Sequence, residues 1–422
     1  MENITVNFEG IYECANDTQH LPNSVLVIAS IAYVSLFFFG VSGNTLVAFV
    51  IWRNVDMRSS TNYFLVNLCI ADLLVLIVCM PSGLLDTFVP NQWLLGKTMC
   101  YAVPFLENVT AQASILTLMA IAVERYYVIW RPLEVSYTCT TKRTVIVCFI
   151  VWFLASICSI PPVLMVVYAP CEYYDGSFRF TCGSYAGSQL GTSYVIGTTI
   201  VFFFLPCVFL TIVYSMFANT LRKHDQYMNL IKNKEMSSQS PTDKPLELSS
   251  VKTCGFKNKK YFKCASSPKH EGRDKNKLFG RDSIKKSTPS NHGDAFTAAS
   301  RQTHRRVIYM LGSVVVVFFI CWLPLRVTML WQIFAPPEHF AQLGFFKLMI
   351  LLICMRFLLY VNSSINPLLY NIISTKFRGA FRDALNCDKT KWRTRGRRCR
   401  ASMRSYASNS SFRTTKTTDF QA

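Results

Sequence analysis

Asp72, Glu107, Arg125, Arg326 and Arg356 stand inside long apolar stretches of the sequence, with Glu124 beside Arg125. An ionisable side chain is costly in hydrocarbon. It normally faces a protein interior or a wet cavity and is paired there. Such residues suit recognition and switching. A guanidinium offers a planar fork of donors to carbonyls or carboxylates, and a carboxylate holds a cation. No catalytic triad, phosphate-binding loop or HExxH motif accompanies them, so the pattern points away from an enzyme.

The apolar stretches are the elements that must position these charges. Of 422 residues, 51% are hydrophobic and 16% charged, against roughly a quarter charged in soluble domains. A spanning helix needs about 20 mostly apolar residues. Seven blocks qualify: Val25–Trp52, Asn62–Phe88, Met99–Trp130, Thr144–Tyr168, Tyr194–Leu221, Arg306–Phe334 and Phe345–Tyr370. Lipid requires internally satisfied backbone, so all are predicted helices. The expected fold is an all-α membrane protein, a seven-transmembrane helix bundle over residues 25–387.

The net charge of +20 comes from 44 Lys and Arg against 24 Asp and Glu. The basic residues gather in the segment between the fifth and sixth blocks and after the seventh. That is a cytoplasmic pattern under the positive-inside rule, not a nucleic-acid surface. Residues 1–24 hold no Lys or Arg, whereas the alternate loops carry Arg53, Arg58, Arg131, Lys142 and Arg143. The N-terminus is therefore expected outside a plasma membrane and the C-terminus inside. No cleavable signal peptide is predicted; the first block serves as the insertion signal. Asn3 and Asn16 head glycosylation acceptors on the outer tail. Residues 223–300 and 388–422 are polar and basic and are predicted to be disordered.

Of sixteen cysteines, four fall on the predicted outer side: Cys14, Cys100, Cys171 and Cys182. A Cys100–Cys182 bridge would tie the loop before the fifth block over the bundle mouth. Cys14 with Cys171 is a second pairing, which spacing alone does not decide. Cys254 and Cys264 lack metal-ligand spacing.

The polar residues within the blocks now line up as Gly43-Asn44, Leu68-Cys69-Ile70-Ala71-Asp72, Glu124-Arg125-Tyr126, Trp152, Pro206 with Tyr214, Cys321-Trp322-Leu323-Pro324 and Asn366-Pro367-Leu368-Leu369-Tyr370. This ordered set resembles the rhodopsin-like (class A) G-protein-coupled receptors, over about Val25 to Cys387. A narrower resemblance joins Cys100 to Glu107, Val135 to Thr140 and Leu359 to Pro367 to the insect ecdysis-triggering hormone receptors. Arg326, Arg356 and Lys376 to Phe381 are shared with the thyrotropin-releasing hormone receptors.

The resemblance implies a receptor for a short, C-terminally amidated neuropeptide that activates heterotrimeric G proteins of the calcium-mobilising class. Arrestin and receptor kinases would be further partners. Glu107, Arg326 and Arg356, with Trp322, would project into one outer cavity. One carboxylate facing two guanidiniums would make it net positive. The charges would either hold peptide carbonyls or form a purely internal salt bridge. A small ligand such as an amine, with Glu107 as counter-ion, is the alternative, against which the two arginines argue. Asp72, Asn44, Ser114, Asn362, Ser363 and Asn366 would form a polar network able to hold a sodium ion. Arg125, neutralised by Glu124 at rest, would swing toward Tyr214 and Tyr370. Relatives often lock this arginine with an acid at the start of span six, but Arg301 to Arg306 supplies none. Ile115, Pro206 and Phe318 would form the packing switch beneath the pocket.

Phe377, Phe381 and Leu385 recur at helical spacing between Lys376, Arg378 and Arg382. They predict a short amphipathic helix on the inner leaflet, closed by Cys387 as a palmitoylation candidate. An opsin is excluded because Tyr360 stands where its Schiff-base lysine would be. A transporter is disfavoured because no internal repeat is visible.

Overall fold

The computed structural model describes residues 12–13, 21–90, 92–131, 140–172, 177–184, 189–237 and 292–385. Among them, seven helices are long and apolar enough to cross a membrane: α1 (Asn23–Arg53), α2 (Ser60–Phe88), α3 (Gly96–Trp130), α4 (Thr141–Leu164), α5 (Gln189–Tyr227), α6 (Arg305–Phe334) and α7 (Gln342–Ile373). A shorter α8 follows at Thr375–Leu385. The seven-helix expectation therefore holds, with two local corrections.

Block four was expected to stay helical to Tyr168, but the helix ends at Leu164. Pro161 and Pro162 lack the N–H groups that would bond the carbonyls four residues back, so the long helix stops at Cys158 and only the short turn Ile160–Leu164 follows. The chain instead enters strand β2 (Val166–Glu172), antiparallel to β3 (Phe178–Ser184), with Tyr168 opposite Cys182. Segment 223–300 was expected to be disordered throughout. Helix runs on from α5 to Ser237, and the helix containing α6 begins at His292. Propagating an existing helix adds one hydrogen bond per residue fixed, so good helix formers extend it past the apolar block. Residues Thr220–Gln302 form a unit separate from the bundle. The helix Pro337–Ile373 is broken at Gly344, whose φ of 69° lies in the left-handed region.

Two π turns shape the bundle, Val75–Cys79 in α2 and Ile200–Phe204 in α5. Each is followed two residues later by a proline, Pro81 and Pro206. A proline ring crowds the carbonyl four residues back and leaves it without its donor. A π turn absorbs that misfit, and the extra residue rotates everything beyond it by about 100°.

Helix α3 runs through the interior, with Ala113, Thr117 and Ala122 fully buried. Three helices are pinned by one polar chain: Trp152 Nε1 donates to Asn67 Oδ1 at 2.8 Å, and Asn67 Nδ2 donates to Thr117 Oγ1 at 2.8 Å. Trp152 thus joins α4 to α2 and α3. Helices α1 and α7 approach closely because Gly43 has no side chain; a Cβ there would stand 2.9 Å from Pro367. Helix α8 is amphipathic as expected. Phe377 and Phe381 are buried in the main core, with the Phe377 ring 5.7 Å from Tyr370.

Candidate functional site

One end of the bundle is capped by the β2–β3 hairpin. Its cover is fixed by the Cys100–Cys182 disulfide, with Cα atoms 5.7 Å apart, as expected from sequence. The Trp93 N–H donates to the Phe180 carbonyl at 2.8 Å, and its ring nitrogen donates to the Gly96 carbonyl at 2.8 Å. Strand β1 (Tyr12–Glu13) runs parallel beside Cys171 and Glu172. Cys171 is itself disulfide-bonded. Its sequence candidate Cys14 lies outside the described residues, as do Asn3, Asn16 and Cys387.

Beneath this cap the charges are arranged differently from expectation. Arg356 of α7 forms an ion pair with Asp86 of α2. Asp86 was missed in the sequence reading. It lies near the end of its block, where an acid reads as an interfacial residue, and the π turn at Val75–Cys79 decides the face it presents. The acid carried a signal all the same, because the arginine-rich spans had one carboxylate too few to balance them. Asp86 thus adds a second carboxylate to the expected set of one carboxylate and two guanidiniums.

Nor do the three expected residues share one cavity. A small cavity is lined by Glu107, Asp72, Ser114, Phe318, Trp322, Tyr360, Asn362 and Ser363, among others. A smaller cavity is lined by Ala111, Gln112, Phe202, Phe203, Phe318, Trp322 and Arg326. Ala111, Phe318 and Trp322 are common to both. Arg356 lines neither, because Asp86 draws it toward α2. The Arg326 guanidinium carbon sits 5.7 Å from the centre of the Trp322 ring, a cation–π contact worth about 0.5–2 kcal/mol. Gln112 Nε2 donates to the Tyr194 hydroxyl at 3.3 Å. Neither Gln112 nor Tyr194 stood out in the sequence, since a lone Gln or Tyr in an apolar helix carries no pattern.

At mid-depth, Asn366 Nδ2 donates to Asp72 Oδ2 at 2.9 Å. Ser114, Asn362 and Ser363 line the same cavity as Asp72. Asn44 is adjacent in the network but turned away, donating to the Gly40 and Ser363 carbonyls at 2.9 Å. The buried Oδ1 atoms of Asn44 and Asn366 have no donor. The set around Asp72 is oxygen-rich with one carboxylate, which suits a hard monovalent cation. No cluster of three His, Cys, Asp or Glu side chains occurs among the described residues.

At the far end of α3, Arg125 pairs with Glu124 at 3.2 Å. Thr61 of α2 donates to Glu124 Oε2 at 2.8 Å and also bonds Arg125. Tyr126 stacks on Trp130 at 5.2 Å, and Trp130 stacks on Phe217 at 5.5 Å. The hydroxyls of Tyr214 and Tyr370 are buried without partners. Between the two ends, Phe318 stacks on Trp322 at 5.8 Å and shares a buried core cluster with Ile115. Pro206 is buried in α5 beside the π turn.

Comparison with known proteins agrees with this architecture. The family described as "7 transmembrane receptor (rhodopsin family)" matches residues 43–370. The chain is 36% identical over 198 residues to a QRFP-like peptide receptor of Branchiostoma floridae, covering 46% of this chain and 51% of that protein. It is 28% identical over 377 residues to the thyrotropin-releasing hormone receptor of Bos taurus, covering 88% of this chain and 82% of the relative. It is 26% identical over 372 residues to the human growth hormone secretagogue receptor type 1, covering 86% and 81%.

Proposed function

Because the chain belongs to the rhodopsin family of seven-transmembrane receptors, we propose that it is a cell-surface receptor for a short, C-terminally amidated peptide. It is a receptor and not an enzyme, and it signals through heterotrimeric G proteins, by our reading of the calcium-mobilising class. It lies in the plasma membrane with the hairpin end outside. The observation that carries the peptide reading is the four-charge set of Asp86, Glu107, Arg326 and Arg356 beneath a disulfide-fixed hairpin. Charges of both signs suit a ligand with several polar groups. An amine would need Glu107 alone and would meet Arg326 in the adjoining cavity. The relatives named as receptors for thyrotropin-releasing hormone and a QRFP-like peptide support the same class.

Activation follows from the packing. A ligand resting on Trp322 presses on Phe318 and Ile115 and shifts α6 at Pro324, where a backbone hydrogen bond is missing. At the inner end Arg125 then leaves Glu124 and Thr61. The unpartnered Tyr214 and Tyr370 hydroxyls receive it, which opens the face that a G protein enters. A ligand can shift this equilibrium only by its differential affinity for the two states, about 5.5 kcal/mol to move it from 1:99 to 99:1. Asp72, Ser114 and Asn366 would hold a sodium ion in the resting state. Arrestin and receptor kinases would act on the tail after residue 388, Cys387 would carry palmitate, and Asn3 and Asn16 would carry glycans.

The test is expression in cells lacking other peptide receptors, exposure to a library of amidated peptides, and recording of intracellular calcium. A calcium response to at least one peptide is expected. Silence to the whole library, at verified surface expression, would refute the peptide reading.

A further inference from the structure

The outer hairpin is stapled on one strand, where Cys182 of β3 is bonded to Cys100 of α3. Its other strand carries a second bonded cysteine. Cys171 of β2 is disulfide-bonded and 2% exposed. Side chains alternate between the two faces of a strand. Tyr168 is the register partner of Cys182, so Cys171, three residues on, belongs to the opposite face of the hairpin. Topology narrows what Cys171 can bond. Cys69, Cys79, Cys148, Cys158, Cys207, Cys321 and Cys354 are free, and Cys100 is taken by Cys182. Cys139 lies between α3 and α4, Cys254 and Cys264 between α5 and α6, and Cys387 and Cys399 after α7. Each span changes the side of the membrane, so all of these belong to the end of the bundle away from the hairpin. Cys14 precedes α1 and belongs to the hairpin end.

The chain ahead of α1 is already docked beside Cys171. Strand β1 pairs in parallel with β2, Tyr12 next to Cys171 and Glu13 next to Glu172. Leu21, just before α1, is 5% exposed. The free edge of β2 offers unpaired N–H and C=O groups, but two residue pairs are too few to hold a strand in water by themselves. A covalent tie supplies what the ladder lacks. We propose that Cys14 is the partner of Cys171, and that this second disulfide anchors the N-terminal tail as the third strand of the outer cap. Cys14 comes two residues after the register partner of Cys171, where the ladder has ended. Strands lie about 4.8 Å apart, so a bend there reaches the Cα separation of about 4.4–6.8 Å that a disulfide needs. The bond forms when both thiols lose their protons and pass two electrons to a protein disulfide of the oxidising secretory compartment, which leaves as a dithiol. The consequence is mechanical. Eight residues separate Cys14 from Asn23 at the start of α1, a stretch that reaches about 30 Å at most. The bridge therefore leashes α1 to β2, as Cys100–Cys182 leashes α3 to β3. One staple alone would leave the hairpin a swivel; two, on different strands and faces, fix its tilt over the bundle.

The bond is tested on the full-length receptor in intact cells, with no ligand required. An epitope tag is placed at the N-terminus, and an enteropeptidase site is inserted between Gln19 and His20, so that cleavage cuts the chain between Cys14 and α1. The wild-type tag should stay on the cell surface after cleavage and leave only when a thiol reductant is added. Cys14→Ser and Cys171→Ser should each lose the tag on cleavage alone. A second measurement maps the bond directly. With free thiols alkylated and glycans removed, chymotryptic digestion without reduction should recover residues 13–21 joined to residues 169–173. Release of the wild-type tag without reductant would overturn the assignment. So would retention of the tag in either variant, or a mapped bond from Cys171 to any other cysteine. If Cys171→Ser does not reach the surface, Cys14→Ser, which alters no residue of the bundle, and the peptide map still decide. No agonist enters the test, so its outcome is separate from that of the peptide-receptor reading.

Discussion

Two arginine–carboxylate pairs of the bundle, one at each end, are built in opposite ways. At the inner end Arg125 pairs with Glu124, its neighbour along one helix, and Thr61 bridges both. At the outer end Arg356 of α7 pairs with Asp86 of α2. The two charges of the inner pair lie on one helix, held to α2 only through Thr61, and the Tyr214 and Tyr370 hydroxyls stand without partners among the described residues. The outer pair ties two helices across the mouth, and breaking it frees one against the other. A local pair makes a switch, and a long-range pair makes a frame. This difference predicts distinct phenotypes for mutations that look alike on paper.

The largest effect is expected at the inner end. Arg125→Ala should leave peptide binding intact and abolish G-protein nucleotide exchange, measured as GTP-analogue uptake on membranes. Retained exchange at equal surface expression would break the comparison outright.

Next comes Arg326, outside both pairs. Arg326→Ala should weaken the amidated agonist by about 1.5–3 kcal/mol, the range for a hydrogen bond to a charged group. Competition binding measures it, and wild-type affinity would place the ligand elsewhere.

The frame should respond less, because its side chains are 41% and 31% exposed and water screens them. Arg356→Ala or Asp86→Ala should each lower affinity or surface expression by an equivalent of about 1–2 kcal/mol, below the full cost of opening a buried pair. The double exchange Asp86→Arg with Arg356→Asp should recover part of the loss. No recovery would mean that the arginine touches the ligand directly and not through Asp86.

The smallest change is Glu124→Gln. It removes the resting partner of Arg125 but leaves Thr61, so basal exchange should rise several-fold, consistent with about 1 kcal/mol. Ligand affinity should change little. Unchanged basal activity would shift the resting restraint from Glu124 to Thr61, which Thr61→Val would then expose.

The sequence by itself determined the seven spans, because hydrocarbon admits only long apolar helices and their lengths can be counted directly. It also determined the inner pair, since Glu124 and Arg125 are chain neighbours, and it pointed to the Cys100–Cys182 bridge, since Cys100 opens the third block and Cys182 lies in the loop before the fifth. Tertiary structure alone decided who meets whom across the bundle. Asp86 reaches Arg356 because a π turn ahead of Pro81 rotates the end of α2, and no periodicity rule for a straight helix contains that rotation. Gln112 and Tyr194 became neighbours only when α3 and α5 packed. Block four turned from helix to strand at Met165 because two prolines stopped one ladder and β3 offered another. Charge identity is written along the chain, but charge pairing depends on helix rotation, which a single residue of extra turn resets by about 100°.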